Sequence, residues 1–214
     1  MKKVLFSVVA ICALLLASCS KEKDYTAFVD PYIGSGGHGH VFVGASVPFG
    51  MVQLGPHQMN TEDWDWCSGY HYSDSVIIGF SHTHLSGTGC ADLGDVLVMP
   101  FMGEVRTKRG EQDNIEGACS SYYSHANEKV APGYYSLLMD NGVKAELSAT
   151  ERVAIHRYTY PEGESHLLVN LKEGNGDRAY DTYLKKVDNN TVEGYRFSKG
   201  WSPQHKVFFV MKFE

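Results

Sequence analysis

Hydrophobic and polar positions along this chain repeat with a period of two far more often than with a helical period. Apolar-rich runs occur at 76–80, 95–101, 134–139, 144–150, 154–160, 166–171, 191–197 and 206–213, with turn residues between them. In 144–150 the small and apolar residues Ala145, Leu147 and Ala149 alternate with Lys144, Glu146, Ser148 and Thr150. That alternation predicts a half-buried antiparallel strand, one face on a core and one in water. Asp140-Asn141-Gly142 separates two such runs and predicts a hairpin, because Asn and Gly accept a positive φ at little cost. Pro161-Glu162-Gly163 and Asp188-Asn189-Asn190 mark further turns. No long segment carries the helical period. Many short strands joined this way predict an all-β sandwich or barrel.

The two ends depart from this pattern. Lys2 and Lys3 precede an unbroken apolar run, 4–17, that is short for a membrane span and has the charged-then-apolar order of a signal peptide. It closes on Leu16-Ala17-Ser18-Cys19, which resembles a bacterial lipobox and would make Cys19 the lipidated first residue of the mature protein. The expected organisation is a signal peptide over 1–18, the lipidated cysteine and a polar tether over 19–25, and one β-domain over 26–214. The expected location is the bacterial cell envelope, attached to the outer membrane through the lipid alone. At the other end the strand pattern runs to Glu214 without a turn or polar tail, so the domain is expected to be truncated there and to continue in its natural setting.

Composition narrows the partners. A net charge of −6 argues against nucleic acid, whose phosphates favour a basic face. Beyond Cys19 the chain has Cys67, Cys90 and Cys119, enough for one bridge; Cys67 with Cys90 is the pair to test. No CxxC spacing points to a zinc-cysteine site.

Candidate chemistry gathers between Trp64 and Asp92. Two tryptophans, three histidines and five serines crowd this stretch, with Tyr70, Tyr72 and Phe80 among them. An aromatic face with a polar rim suits a pyranose, which has an apolar C–H face and a hydroxylated edge. Trp64 and Trp66 could stack on a sugar, with one of them expected in the core. Asp63, Asp65, Asp92 and Asp95 are the nearest carboxylates. Glycoside hydrolysis needs two such groups across one bond, yet spacing does not fix their separation, and a solvated loop or turn-capping role is the commoner use of each. His38/His40 and His82/His84 are two His-x-His pairs. On a strand this spacing puts both rings on one face and could chelate a divalent metal, with Asp92 or Asp95 adding oxygen; hydrogen bonding is the plainer use. The loop Gly34-Ser35-Gly36-Gly37-His38-Gly39-His40 lacks the lysine-serine ending of a phosphate-binding loop, and its glycines permit close backbone approach to a ligand or partner.

Four motifs then point to one family. Phe28-Val29-Asp30-Pro31-Tyr32-Ile33-Gly34, the run 44–56 (GASVPFGMVQLGP), Ser68-Gly69-Tyr70-His71-Tyr72 and the run 80–89 (FSHTHLSGTG) together resemble the amino-terminal domain of glycoside hydrolase family 92. The resemblance implies an antiparallel β-supersandwich like that of galactose mutarotase, followed in the family by an (α/α)6 barrel that this chain does not reach. It also implies an inverting, calcium-dependent exo-α-mannosidase, often α-1,2-specific, acting on mannose-terminated glycans. The family's general acid and base belong to the barrel, so no catalytic residue is assigned here, and the metal ligands are left unassigned. The sandwich would contribute Trp66, Cys67, Gly69, Tyr70, His82, Leu85, Ser86, Gly87 and Asp92 to the shared pocket, with its own C-terminal catalytic domain as partner. A non-catalytic carbohydrate-binding module and a mutarotase-type epimerase using His82 or His84 with a carboxylate are the alternatives.

Overall fold

The computed structural model describes residues 23–214 apart from 60 and 62. The proposed signal peptide and Cys19 therefore lie outside the described residues. Among the described residues the regular elements are strands and two single-turn 3-10 segments, Thr26–Phe28 and Trp64–Trp66. The strands are β1 (Ala45–Ser46), β2 (Gln53–His57), β3 (Val76–Ile77), β4 (Gly79–Ser81), β5 (Leu97–Met102), β6 (Ser121–Ala131), β7 (Tyr134–Met139), β8 (Lys144–Ala149), β9 (Ala154–Thr159), β10 (Ser165–Asn170), β11 (Arg178–Lys186), β12 (Thr191–Lys199) and β13 (His205–Lys212).

They form three antiparallel sheets in the orders β1-β2-β4-β5-β10, β3-β6-β7-β8-β9 and β11-β12-β13. The two five-stranded sheets face one another. Leu54, Phe80 and Val98 from one, with Ile77, Tyr135, Leu137, Ala145 and Leu147 from the other, make a single buried cluster. The alternation read from 144–150 is realised, since Ala145, Leu147 and Ala149 are the buried residues of β8. The predicted hairpin joins β7 to β8. The Gly142 N–H donates to the Met139 carbonyl at 2.9 Å, and Gly142 takes the left-handed φ of 85°.

The run 76–80 is not one strand. It divides at Gly79, sending β3 to one five-stranded sheet and β4 to the other. Gly79 has φ 152°, and a Cβ there would meet the Val98 carbonyl oxygen at 2.6 Å. Only glycine lets the chain cross so close to β5. Val76, Ile77, Ile78 and Phe80 are all buried, which is why this run is continuously apolar instead of alternating.

The three-stranded sheet is tied to the body by a buried ion network. Arg196 on β12 donates a forked pair to Asp177 at 2.6 and 2.8 Å and a third bond to Asp95 at 2.7 Å. Asp95 also accepts from Thr83 at 2.6 Å and His205 at 2.9 Å. Burial alone would raise the Asp95 pKa, but the bonds from His205 and Thr83 and the Arg196 charge together hold it below the ordinary aspartate value. The other face of this sheet is open and aromatic. Tyr195 stacks on Phe197 with ring centres 4.3 Å apart, Tyr183 and Phe208 adjoin them, and Phe208 and Val210 are 67% and 69% exposed.

Candidate functional site

Three connecting segments meet at one edge of the sandwich: the glycine-rich loop 34–40, the turn 63–72 and the loop 84–94. Each is shaped by local chemistry. Asp63 caps the short 3-10 turn, accepting from the Asp65 N–H at 3.0 Å. In the glycine loop, Val41 N–H returns to the Gly34 carbonyl at 3.1 Å, and a Cβ on Gly39 would meet that same oxygen at 2.1 Å. The Gly87 N–H donates to the His40 carbonyl at 2.6 Å, joining the first loop to the third.

Trp64 is the most exposed aromatic of this edge, 56% accessible, with its Nε1–H held by the Gly89 carbonyl at 2.7 Å. His40 packs edge-on against it with ring centres 4.0 Å apart. Trp66 is half-buried, stacked on His71 and donating to Asp74 at 2.9 Å. Of the two tryptophans, then, Trp64 is free to meet a ligand and Trp66 braces the turn.

Beneath the edge lies a layer of desolvated histidines whose tautomers the hydrogen bonds dictate. His84 Nδ1–H donates to the Ser68 carbonyl at 2.9 Å, so its Nε2 accepts from the Ser81 hydroxyl at 3.0 Å. Ser81 in turn accepts from His57 Nδ1–H at 2.9 Å. This leaves His57 Nε2 as a buried acceptor without a partner among the described residues. A second chain runs from Tyr158 O–H to His156 Nδ1 at 2.7 Å, from His156 Nε2–H to His82 Nε2 at 3.0 Å, and from His82 Nδ1–H to the Val96 carbonyl at 2.7 Å. Both chains require neutral rings. Burial, reinforced by the neighbouring His84, pushes the His57 pKa down to about 3. Burial pushes His84 to about 4 and, with help from His82, His156 to about 3. His82 is lowered for the same reason.

The residues expected at a pocket divide between edge and support. Ser86 and Gly87 are exposed, and Leu85 and Trp66 are half-buried beside them. Tyr70 is buried and donates to Glu128 at 3.0 Å. Gly69 has φ 82°, and a Cβ there would lie 3.3 Å from His84 Nδ1 and 3.4 Å from His57. It therefore lets the turn sit directly on the histidine layer. Asp92 is buried, and its oxygens accept from the Leu93 and Trp201 N–H groups at 2.9 and 2.8 Å. Cys67 is buried, with its carbonyl accepting from Asn175 at 2.6 Å. The expected Cys67–Cys90 bridge is not formed. Both thiols are free, Cys67 being fixed inside its turn while Cys90 sits half-buried on the loop above. Burial raises the Cys67 thiol pKa, which keeps it protonated and unreactive.

The two His-x-His pairs also resolve. His82 sits at a bend just past β4, so its ring and that of His84 reach different partners and share no ligand position. Asp95, expected as an added oxygen ligand, is fully occupied by Arg196, Thr83 and His205. His38 and His40 instead converge on Asp65, with Nδ1 of His38 and Nε2 of His40 at 2.7 and 3.3 Å from its Oδ1. The sequence reading did not single out His57 or His156. Neither has a chemically marked neighbour in sequence; His57 joins the histidine layer through the pairing of β2 with β4, and His156 reaches His82 across the two facing sheets.

Comparison with known proteins gives a consistent picture. Residues 28–214 match the glycosyl hydrolase family 92 N-terminal domain. Among solved structures, a family GH92 α-mannosidase from Bacteroides thetaiotaomicron, in complex with mannoimidazole, superposes with a TM-score of 0.85 at 36% identity, covering 88% of this chain and 25% of that one. A second glycosyl hydrolase of the same family superposes with a TM-score of 0.73 at 27% identity, covering 87% of this chain and 26% of that one. An uncharacterized secreted glycosidase of Arthroderma benhamiae is 29% identical over 149 residues, 67% of this chain and 18% of the relative. The chain thus spans about a quarter or less of the length of these relatives. An all-β sandwich, four ordered motifs and a match over nearly every described residue agree: the chain belongs to glycosyl hydrolase family 92, as its N-terminal domain.

Proposed function

We propose that this domain supplies one wall of the substrate pocket of an exo-α-mannosidase acting on mannose-terminated glycans, with α-1,2 linkages preferred. The observation that carries the reading is the 36% identity, over 88% of this chain, with an α-mannosidase whose structure holds mannoimidazole. The edge described above fits the role. Trp64 offers an exposed aromatic face, Ser86 and Gly87 an exposed polar margin, and the half-buried Trp66 and Leu85 adjoin them. Cys67, Gly69, Tyr70, His82 and Asp92 hold that margin from behind. Recognition of a pyranose by stacking plus a few aimed polar groups needs such a rigid backing.

Inverting hydrolysis uses one carboxylic acid to protonate the leaving oxygen and one carboxylate to activate water. In this reading both come from a C-terminal catalytic domain outside this chain. Calcium, when bound, would help orient and distort the sugar. Its oxygen-rich shell does not match the nitrogen-bearing His38/His40/Asp65 set, so its ligands are assigned outside this chain. The open aromatic face of β11-β12-β13 supports a further domain as partner, since apolar patches of this kind are usually covered in use. Anchoring of Cys19 to the outer membrane remains part of the proposal.

The epimerase alternative lacks its pair among the described residues: His82 meets Val96 and His156, and His84 meets Ser68 and Ser81, with no described carboxylate bonded to either. To test the main reading, mannose release from α-1,2-mannobiose is measured for the 214-residue chain and for a protein carrying this domain joined to a family 92 catalytic domain. The joined protein is expected to release mannose and the chain alone to release none. Release by the chain alone, or none by the joined protein, overturns the proposal.

A further inference from the structure

We propose that His38, His40 and Asp65 form a binding site for a zinc-class transition-metal ion on the rim of this domain. The site is distinct from any calcium site and does not depend on the mannosidase reading. Two imidazole nitrogens and one carboxylate oxygen, 25–27 residues apart in sequence, are brought within 4.8 Å of one another. With metal–ligand distances of about 2.0–2.2 Å, neighbouring ligand atoms of a tetrahedral zinc shell stand roughly 3.3 Å apart. The observed separations to Asp65 Oδ1, 2.7 and 3.3 Å, lie within a small adjustment of that shell. The donor set decides the class of ion. Nitrogen ligands suit zinc, nickel or copper, whereas calcium and magnesium take oxygen.

The ligands are held in place by more than their own mutual bonds. His40 takes a left-handed φ of 54°, its ring packs edge-on against Trp64, and its carbonyl accepts from Gly87. Asp65 is fixed by the Asp63 cap at the start of its turn. His38 is 77% exposed at its side chain, leaving the fourth coordination position open to water. In the metal-free arrangement each ring donates an N–H to the same carboxylate oxygen, so an ion taking those two nitrogens requires each neutral ring to carry its proton on its other nitrogen instead. Once bound, it would clamp the glycine loop to the turn that carries Trp66 and Tyr70.

The test titrates the full 214-residue chain with zinc chloride, in the presence and absence of excess calcium. Binding is followed by calorimetry and by the emission of Trp64, which lies against both histidines. Saturable one-to-one zinc binding that excess calcium does not displace is expected. His38→Ala and Asp65→Asn should each weaken it by about tenfold or more, and His166→Ala should not. His38 is at the surface, so His38→Ala is expected to keep the wild-type circular dichroism. Anomalous scattering at the zinc edge should place the ion between the three side chains. Absence of saturable binding, equal affinity in wild type and both ligand variants, or an ion located elsewhere overturns the assignment and leaves an ion-paired cluster only.

Discussion

The two His-x-His pairs have the same spacing and opposite fates. His38 lies at the water-facing edge, His40 is buried just behind it, and both converge on one carboxylate. The hydrogen bond and charge of Asp65 raise the His38 pKa. His82 and His84 lie under that edge, diverge to separate partners and are kept neutral by burial. Spacing alone does not decide whether a pair chelates, pairs with an acid or packs. The backbone bend at His82 and the groups each ring meets, Asp65 for one pair and a carbonyl, a hydroxyl or another imidazole for the other, decide it.

The largest separation between the two pairs is expected on acidification. A folded-state pKa below 6.5 means that the unfolded chain takes up more protons. The stability held by His57 and His84 is therefore complete above about pH 6.5 and is lost as pH falls toward 4 and 3. Between pH 7 and pH 5 each of these two imidazoles should cost about 2 kcal/mol, visible as a falling midpoint in denaturant unfolding. The His38 contribution has the other sign, present below pH 6.5 and lost as pH rises through its raised pKa, and solvent exposure keeps it small. An unfolding midpoint that stays level from pH 7 to pH 5 would contradict the neutral buried layer.

A sharper break is Ser81→Ala. It strips the hydroxyl that joins His57 to His84, leaving a buried donor and a buried acceptor unmatched. The expected loss is about 2 kcal/mol of stability, measured by thermal or denaturant unfolding. At the edge, His38→Ala should leave the unfolding midpoint close to that of the wild type in metal-free buffer, because exposed pairs contribute little. A loss at His38 as large as that at Ser81 would erase the distinction between the two pairs.

Much of the β-domain is legible in the chain. The runs at 134–139, 144–150 and 154–160 coincide with β7, β8 and β9, because a sheet with one wet face writes its alternation into the sequence. Other strands leave no such trace. β6 reads as a polar run, SYYSHANEKVA, and its register shifts between Tyr123 and Glu128. That irregularity buries Glu128, which then accepts from Tyr70, Tyr135, Tyr32 and His125 at 2.7–3.3 Å. A carboxylate satisfied by partners from three other places in the chain, and by His125 on its own strand, looks, in sequence, like a surface residue. β11 is missed because most of it is exposed, with few buried positions to reveal a face.

The same division runs through the candidate site. The crowding of aromatics and polar groups between Trp64 and Asp92 singles out the right region. It does not tell which tryptophan is free, or that Asp92 is spent on backbone N–H groups. By itself the sequence determined the all-β class, the hairpin at 140–142 and the family, because periodicity, turn chemistry and long ordered motifs are local properties. The tertiary structure alone decided which histidines meet, which acid they meet and which stay neutral. Those outcomes depend on contacts between residues far apart in the chain and on how much water each contact retains.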